Sequence, residues 1–352
     1  MPPTQKELAR YAGVSAGTVS NVISGAPGVS EQARQKVLAA VRALDYQPNL
    51  IARSLRTNRT FTLGMVVPDI TVPFFPRVIR GAESAAREAG FFLSVLDSES
   101  SPTRETAIME LLRSQRVEGV LLVTAGGQGV HGEGLSSIPA GPPLVYLDRL
   151  PKGFDVDSVC VDDAQAAEMA VTHLLQMGHT KIAIITGPLD FQNEQDRLLG
   201  YRKALQKNNV PVLKSLLWTG SFDQVQVARV CAQNLSNPTG RPTALFATNG
   251  VTGLAAIKAI YAMGLATPRD IACVTFDEIS SEEFFRPGIT SVVQPAFEIG
   301  SKAVETLLRR ITGPKTSAVD KVRLPASLVI RESSSFTLSA IFESTRSARN
   351  AR

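Results

Sequence analysis

Charged and amide side chains recur where apolar, strand-like runs end, and their types suit one kind of chemistry. Asp148 and Arg149 close the run at 145–147, Asn249 follows 245–248, Asp277 follows 273–276, and Arg197 stands in the stretch after Gly187-Pro188. Arginine forks, carboxylates and an amide converging on a cleft can donate to and accept from the hydroxyls of a polyhydroxyl ligand. Phe222 could stack on the apolar face of such a ring. Phe74 and Phe75 follow the first apolar run and Pro68-Asp69-Ile70, and fit either the same cleft or the packing of one lobe. For the arginines and acids the plainer alternative is a set of salt bridges.

Other chemistries find little support. His131, His173 and His179 stand apart from Cys, Asp or Glu at metal-ligand spacing, so no metal is expected. Cys160, Cys231 and Cys273 lie far apart in apolar or helical stretches and read as buried thiols. Gly127-Gln128-Gly129-Val130-His131-Gly132 matches the dinucleotide-binding pattern letter for letter. That pattern must open directly into a helix packed on the sheet. Here Gly134 and then Pro139, Pro142 and Pro143 would interrupt any such helix, so the stretch reads as a loop and no nucleotide cofactor is expected. No nucleophile elbow or phosphate-loop lysine is present, and the chain reads as a non-enzyme.

The elements that must hold these residues alternate. Strand-like runs at 63–67, 91–96, 117–123, 144–147, 181–185, 243–247 and 271–276 are separated by amphipathic stretches of helical period. Strand, helix, strand at this repeat gives parallel α/β layers, and the number of strands suits two doubly wound lobes with a ligand cleft between them. The 352 residues, 44% hydrophobic and 20% charged, suit a soluble globular protein. No apolar run approaches the ~18 residues that cross a bilayer, and charges among the first ten residues argue against an export signal. A cytoplasmic protein without a membrane partner is implied.

The first 60 residues differ from the rest. Thr4 and Glu7 have capping-box spacing, Leu8, Ala9 and Ala12 form a narrow apolar face, Gly13-Val14-Ser15 supplies a turn, and Ser15 can cap a second helix at about 16–23. That is helix-turn-helix spacing, and in such a pair the second helix enters the major groove. Its exposed residues would be Ala16, Gly17, Thr18, Ser20 and Asn21, while Val19, Val22 and Ile23 face helix one and a third helix after Ser30 carrying Val37, Leu38, Val41 and Leu44. Eight Lys/Arg against three acids give this segment a surplus of five, equal to the +5 of the whole chain. A basic end on a neutral body is the footprint of phosphate contact.

Tyr11-Ala12-Gly13-Val14-Ser15-Ala16-Gly17-Thr18-Val19-Ser20, then Val29-Ser30, then 44–55 with Tyr46, Pro48, Asn49, Ala52 and Leu55, resemble the headpiece of the lac repressor and galactose repressor family. The resemblance runs to about Arg331. It implies a headpiece at 1–48, a hinge helix and linker at 49–59, and a periplasmic-binding-protein-like core at 60–331. One lobe would comprise about 60–161 plus 291–323, the other about 162–290 plus 324–331, leaving 332–352 as a flexible tail. In that family the leucine matching Leu55 wedges between base pairs at the operator centre, which would place Arg56 near phosphates. Such a hinge of about nine residues falls short of the ~12 to 15 that sustain an isolated helix, so pairing on DNA must stabilise it. The family also places aromatics matching Phe74 and Phe75 against its effector, and makes Arg197 and Asp277 the strongest effector contacts.

Departures qualify this. Gly250 stands where an aspartate is usual, Gln195 where many relatives carry arginine, and Asn193 where serine is common. Asn21 replaces an arginine, so base reading in the major groove is weak and the hinge and DNA shape carry more of the choice. Apolar residues past 335 do not sustain the heptads of a tetramerising coiled coil, which favours a homodimer. The expectation is therefore a dimeric repressor of a pseudo-palindromic double-stranded operator, governed by a small molecule, foremost a sugar or derivative. A DNA binder whose cleft no longer responds is the alternative; a solute-binding protein for uptake and a metabolic enzyme are weaker ones.

Overall fold

The computed structural model describes residues 3–23, 27–46, 59–126, 141–150, 155–238, 240–279, 286–314 and 318–335. The chain divides into two compact units, Met1–Phe61 and Thr62–Arg352. Leu55, Arg56, most of the hinge segment, the glycine-rich stretch at 127–132 with His131, and residues 336–352 lie outside the described residues.

In the first unit, α1 (Gln5–Ala12), α2 (Ala16–Ile23) and α3 (Glu31–Ala43) enclose Leu8, Ala9, Ala12, Val19, Val22, Val37, Ala40 and Tyr46. Each start is fixed by a side chain. The Thr4 amide donates to Glu7 Oε2 at 2.7 Å and the Glu7 amide donates back to Thr4 Oγ1 at 3.3 Å. Gly13 takes the left-handed backbone (φ 63°) that stops α1. Leu38 departs from expectation: it faces solvent at 46% exposure, because Val37 and Ala40 occupy the buried face of α3.

Among the described residues the second unit has two six-stranded sheets. The first, in lobe one, runs β11-β5-β4-β3-β1-β2, and the second, in lobe two, runs β12-β10-β9-β8-β6-β7. Their strands are β1 (Thr62–Val67), β2 (Phe92–Asp97), β3 (Gly119–Leu122), β4 (Leu144–Leu147), β5 (Ser158–Val161), β6 (Ile182–Thr186), β7 (Leu217–Thr219), β8 (Ala244–Ala247), β9 (Ala272–Phe276), β10 (Thr290–Val293), β11 (Lys321–Leu324) and β12 (Ser327–Val329). Every pairing is parallel except that of β10 with β12. Central strands such as β3, β6, β8 and β9 are buried along their whole length, as parallel strands covered on both faces must be. The two orders match strand for strand, which makes β4 and β9 counterparts.

Helices α4 (Phe74–Glu88), α5 (Pro102–Ser114) and α10 (Ala296–Thr312) belong to lobe one. Helices α6 (Asp163–Gln176), α7 (Gln192–Lys207), α8 (Gln224–Leu235) and α9 (Gly250–Ala262) belong to lobe two. Glycines let two pairs cross at backbone contact. A Cβ on Gly81 of α4 would sit 2.0 Å from the Phe297 carbonyl oxygen of α10, and one on Gly300 2.0 Å from that of Val78. In the α6 and α7 pair, a Cβ on Gly200 would meet the Ala164 oxygen at 2.2 Å.

Two expected boundaries move. β10 pairs with β9 and β12, so lobe two continues through Val293 rather than ending at 290. The expected tail does not begin at 332. Ser333, Ser334 and Ser335 are buried: Thr290 N donates to Ser333 Oγ (2.8 Å), Ser333 Oγ donates to the Cys273 carbonyl (2.6 Å), and Ser334 Oγ bonds both Thr290 Oγ1 (2.7 Å) and His173 Nε2 (2.8 Å). These serines satisfy polar groups that burial would otherwise strand.

Candidate functional site

The C-terminal ends of the central strands meet between the lobes. Phe74, Phe75, Asp148, Arg149, Arg197, Phe222, Asn249 and Asp277 all line one pocket there, together with Val72, Asn193, Glu194, Gly250 and Val251. All eight residues singled out from sequence are thus brought together. The cleft is closed: about 30 Å³ is open to the centres of water molecules, room for about two waters.

Asp148 and Asp277 terminate the counterpart strands β4 and β9, and both adopt left-handed backbone (φ 55° and 70°). A non-glycine residue held there stores strain, a feature that clusters at functional sites. One Asp277 oxygen accepts from Gln294 Nε2 at 2.7 Å. Asp148 lies 3.7 Å from Arg197 and 3.9 Å from Arg149, closer to ion-pair than hydrogen-bond range.

Arg197 is the hub. Its Nε donates to Asp163 Oδ1 (2.7 Å), its Nη1 donates to the Thr248 carbonyl (2.6 Å), and its guanidinium carbon lies 3.7 Å from the Phe276 ring centroid. Nη2 is buried with no hydrogen-bond partner among the described residues, as is Gln294 Oε1. A buried donor left open costs free energy unless a ligand acceptor or water meets it. Burial pushes Asp163 up to about 7 and Asp277 up to about 6, with Arg197 opposing both shifts. Burial pulls the Arg197 guanidinium down, yet Asp163, Glu194, Asp148 and Asp277 outweigh it and hold the pKa above its ordinary value.

Arg149 reaches from lobe one across the cleft, its guanidinium carbon 4.3 Å from the Phe222 centroid and 5.2 Å from that of Phe191. It covers the ring face that sequence reasoning offered to a ligand. Asn249 proves to be a scaffold as well as a wall: Oδ1 accepts from Thr252 N at 2.9 Å to start α9, and Nδ2 donates to Glu194 at 2.9 Å. Glu194 also accepts from Gly187 N (2.9 Å) and the Thr248 hydroxyl.

Sequence reasoning missed Asp163, Glu194 and Gln294. Glu194 carried a usable signal, since it precedes Arg197 by three residues on one helix face. Asp163 follows Asp162, which caps α6 by accepting from Gln165 N (2.9 Å). Gln294 gave none. Gly250 is not imposed by space, because a Cβ there would meet Asp277 Cβ at an ordinary 3.6 Å.

In the headpiece, Ser15 Oγ accepts from Thr18 N (3.0 Å) and bonds Thr18 Oγ1 (2.9 Å), which opens α2 and ties down the Thr18 hydroxyl. Ala16, Gly17 and Asn21 are exposed, whereas Thr18 and Ser20 are half-buried. Among the described residues no three His, Cys, Asp or Glu converge as metal ligands, and no helix is long and apolar enough to cross a membrane.

A helix-turn-helix unit joined to a two-lobed α/β core with a polar cleft defines a DNA-binding transcription regulator with a ligand-binding core. Residues 4–49 match the bacterial regulatory proteins of the lacI family, and residues 171–334 match the periplasmic binding protein-like domain. The ribose operon repressor of Escherichia coli (strain K12) is 36% identical over 313 residues, covering 88% of this chain and 94% of that one. The lac repressor dimer bound to operator and the anti-inducer ONPF superposes with a TM-score of 0.83 at 26% identity, covering 95% of this chain and 100% of that one. A lacI-family regulator from Enterococcus faecium with bound ribose gives a TM-score of 0.66 at 27% identity, covering 78% and 98%. The chain belongs to the lacI family of transcriptional repressors.

Proposed function

We propose that this repressor binds a pseudo-palindromic operator as a homodimer and is controlled by ribose or a closely related pentose in the interlobe cleft. The observation that carries this reading is the polar set around one small pocket. Asp148 and Asp277 approach from opposite lobes, Arg197 offers an unused buried donor, and aromatic faces lie beside them. A ring bearing hydroxyls can accept from that donor and donate to both carboxylates. The cleft must open to admit a sugar, and likeness to a ribose operon repressor and to a ribose-bound relative supports the choice of a monosaccharide. On the DNA side, Thr18 and Ser20 anchor phosphates, Ala16, Gly17 and Asn21 approach base edges, Leu55 is the minor-groove wedge and Arg56 a phosphate contact.

A second reading, a DNA binder with an unresponsive cleft, is favoured by Arg149 lying on Phe222 and by Gly250. The test selects operators from a random DNA pool with the full chain, then titrates D-ribose, D-galactose, cellobiose and hypoxanthine while operator affinity is followed by fluorescence anisotropy. A shift with D-ribose, absent with cellobiose, is expected. If none of the four shifts affinity and none gives heat in calorimetry, the second reading replaces the first.

A further inference from the structure

The residue after each left-handed aspartate reaches onto the opposite lobe. Arg149, next to Asp148, lies on Phe222 of lobe two. Glu278, next to Asp277, reaches the other way: its Oε2 accepts from Nη1 of Arg77 on α4 of lobe one at 2.7 Å. The lobes thus extend reciprocal arms from counterpart strand ends. Arg331 anchors the second arm at its base, donating from Nη2 to Glu278 Oε1 (3.0 Å) and from Nη1 to the Ile289 carbonyl (2.8 Å). Its own amide donates to Thr290 Oγ1 on β10 (2.9 Å), two residues before the buried serines 333–335.

Glu278 is therefore preset by its own lobe, with 24% of its side chain exposed, while Arg77 is a long side chain with 64% exposed. Arg77 follows Phe74 and Phe75 on α4, so opening the cleft must separate these aromatics from lobe two and break this pair together. Glu278 lies beside Asp277, so the pair reports on the same strand end that would grip a ligand. Burial would raise the Glu278 carboxyl, but the hydrogen bonds from Arg77 and Arg331 hold it below its ordinary value.

We infer that Arg77 and Glu278 form an interlobe clasp that favours closure before any ligand is bound, and so set how much effector the cleft requires. Neither residue touches the ligand; both are positioning residues that act through lobe closure. A partly exposed pair of this kind supports a change of about two- to fivefold in an equilibrium constant. It weakens as salt rises, because its outer half is open to solvent.

The full chain is compared with Arg77→Ala, Glu278→Gln and the double variant, using D-ribose calorimetry and small-angle X-ray scattering of the ligand-free protein. The D-ribose arm rests on the proposed function; the scattering arm does not. Each single variant should weaken D-ribose by about two- to fivefold and enlarge the ligand-free radius of gyration, and the double variant should lose no more than the worse single one. Raising KCl from 0.05 to 0.5 M should weaken the parent and leave Arg77→Ala nearly unchanged, a response that a purely structural role would not give. Arg77→Lys should restore part of the affinity. Unchanged scattering in both single variants overturns the clasp, as do losses that multiply in the double variant. Should the parent give no heat with D-ribose, the ligand assignment fails, and the scattering comparison still decides the clasp.

Discussion

Replacing Arg197 with methionine tests how the cleft is built. From sequence, loss of this arginine should abolish the effector response while sparing operator binding. The structure changes that expectation, because Arg197 is 2% exposed and stands among Asp163, Asp148 and Glu194 at 2.7, 3.7 and 3.8 Å. At ~4 Å and an effective dielectric constant of about 20, one such pair is worth about 4 kcal/mol. Removing one partner of a buried pair typically costs about 3 to 5 kcal/mol, the same scale. For a unit of this size that lowers the melting temperature by on the order of 10 °C. Protonation fixes the sign of the pH dependence. Asp163 at about 7 and Asp277 at about 6 lie above the ~3.9 of an unfolded aspartate, so the folded state binds more protons from about pH 4 to 7. These carboxyls therefore cost stability as pH rises through that window, and the cost is full above pH 7. Without Arg197 the cost grows, so Arg197→Met should lie furthest below the parent at pH 8 and approach it at pH 5. Differential scanning calorimetry at both pH values reads this directly, with Arg197→Lys expected to recover part of the loss. An equal deficit at the two pH values, or no deficit, would refute the reasoning.

Gly300→Ala should destabilise the core by at least about 2 kcal/mol in denaturant melts, since its methyl would meet a backbone carbonyl at 2.0 Å; an unchanged midpoint would show that α4 and α10 separate freely. Gly250→Ala should instead stabilise by about 0.4 to 1 kcal/mol, because the site is helical, has ordinary clearance and loses only unfolded-state freedom; a lower melting temperature contradicts this. Leu8→Ala removes a fully buried side chain from the headpiece and should cost about 2 to 5 kcal/mol, enough to unfold so small a unit. Operator binding by mobility shift should vanish while calorimetric D-ribose binding persists; joint loss of both would contradict an independent headpiece. Leu55→Ala should weaken specific operator binding more than binding to random DNA, and equal losses would dispose of the wedge.

What the sequence disclosed depended on how each residue signals its place. Asp148 and Asp277 end apolar runs, and their place in the cleft was legible because strand ends in parallel sheets point at one. The long runs behind β1, β6 and β9 were equally visible. β5, β7, β10, β11 and β12 were not, and length alone does not account for it, since β3, β4 and β8 also have four residues; β11 and β12 alternate exposed with half-buried positions and carry no continuous apolar run. Ser333 to Ser335 looked like a tail since serine has no apolar signature, and only the buried Thr290, Cys273 and His173 groups reveal why they are needed. Arg149 lines the cleft, but its position over Phe222 depends on a contact between lobes that no local spacing encodes.

The glycine crossing of α4 and α10 has a mechanical meaning. Helices whose backbones touch at Gly81 and Gly300 have no compressible layer of side chains between them, so they move as one stiff strut. One end of that strut carries Phe74 and Phe75 into the cleft, and the other begins just past Gln294, where the chain passes between the lobes. A displacement imposed by a ligand on the aromatics would reach the crossover with no cushion to absorb it. Lobe one is thus built to transmit force rather than to dissipate it.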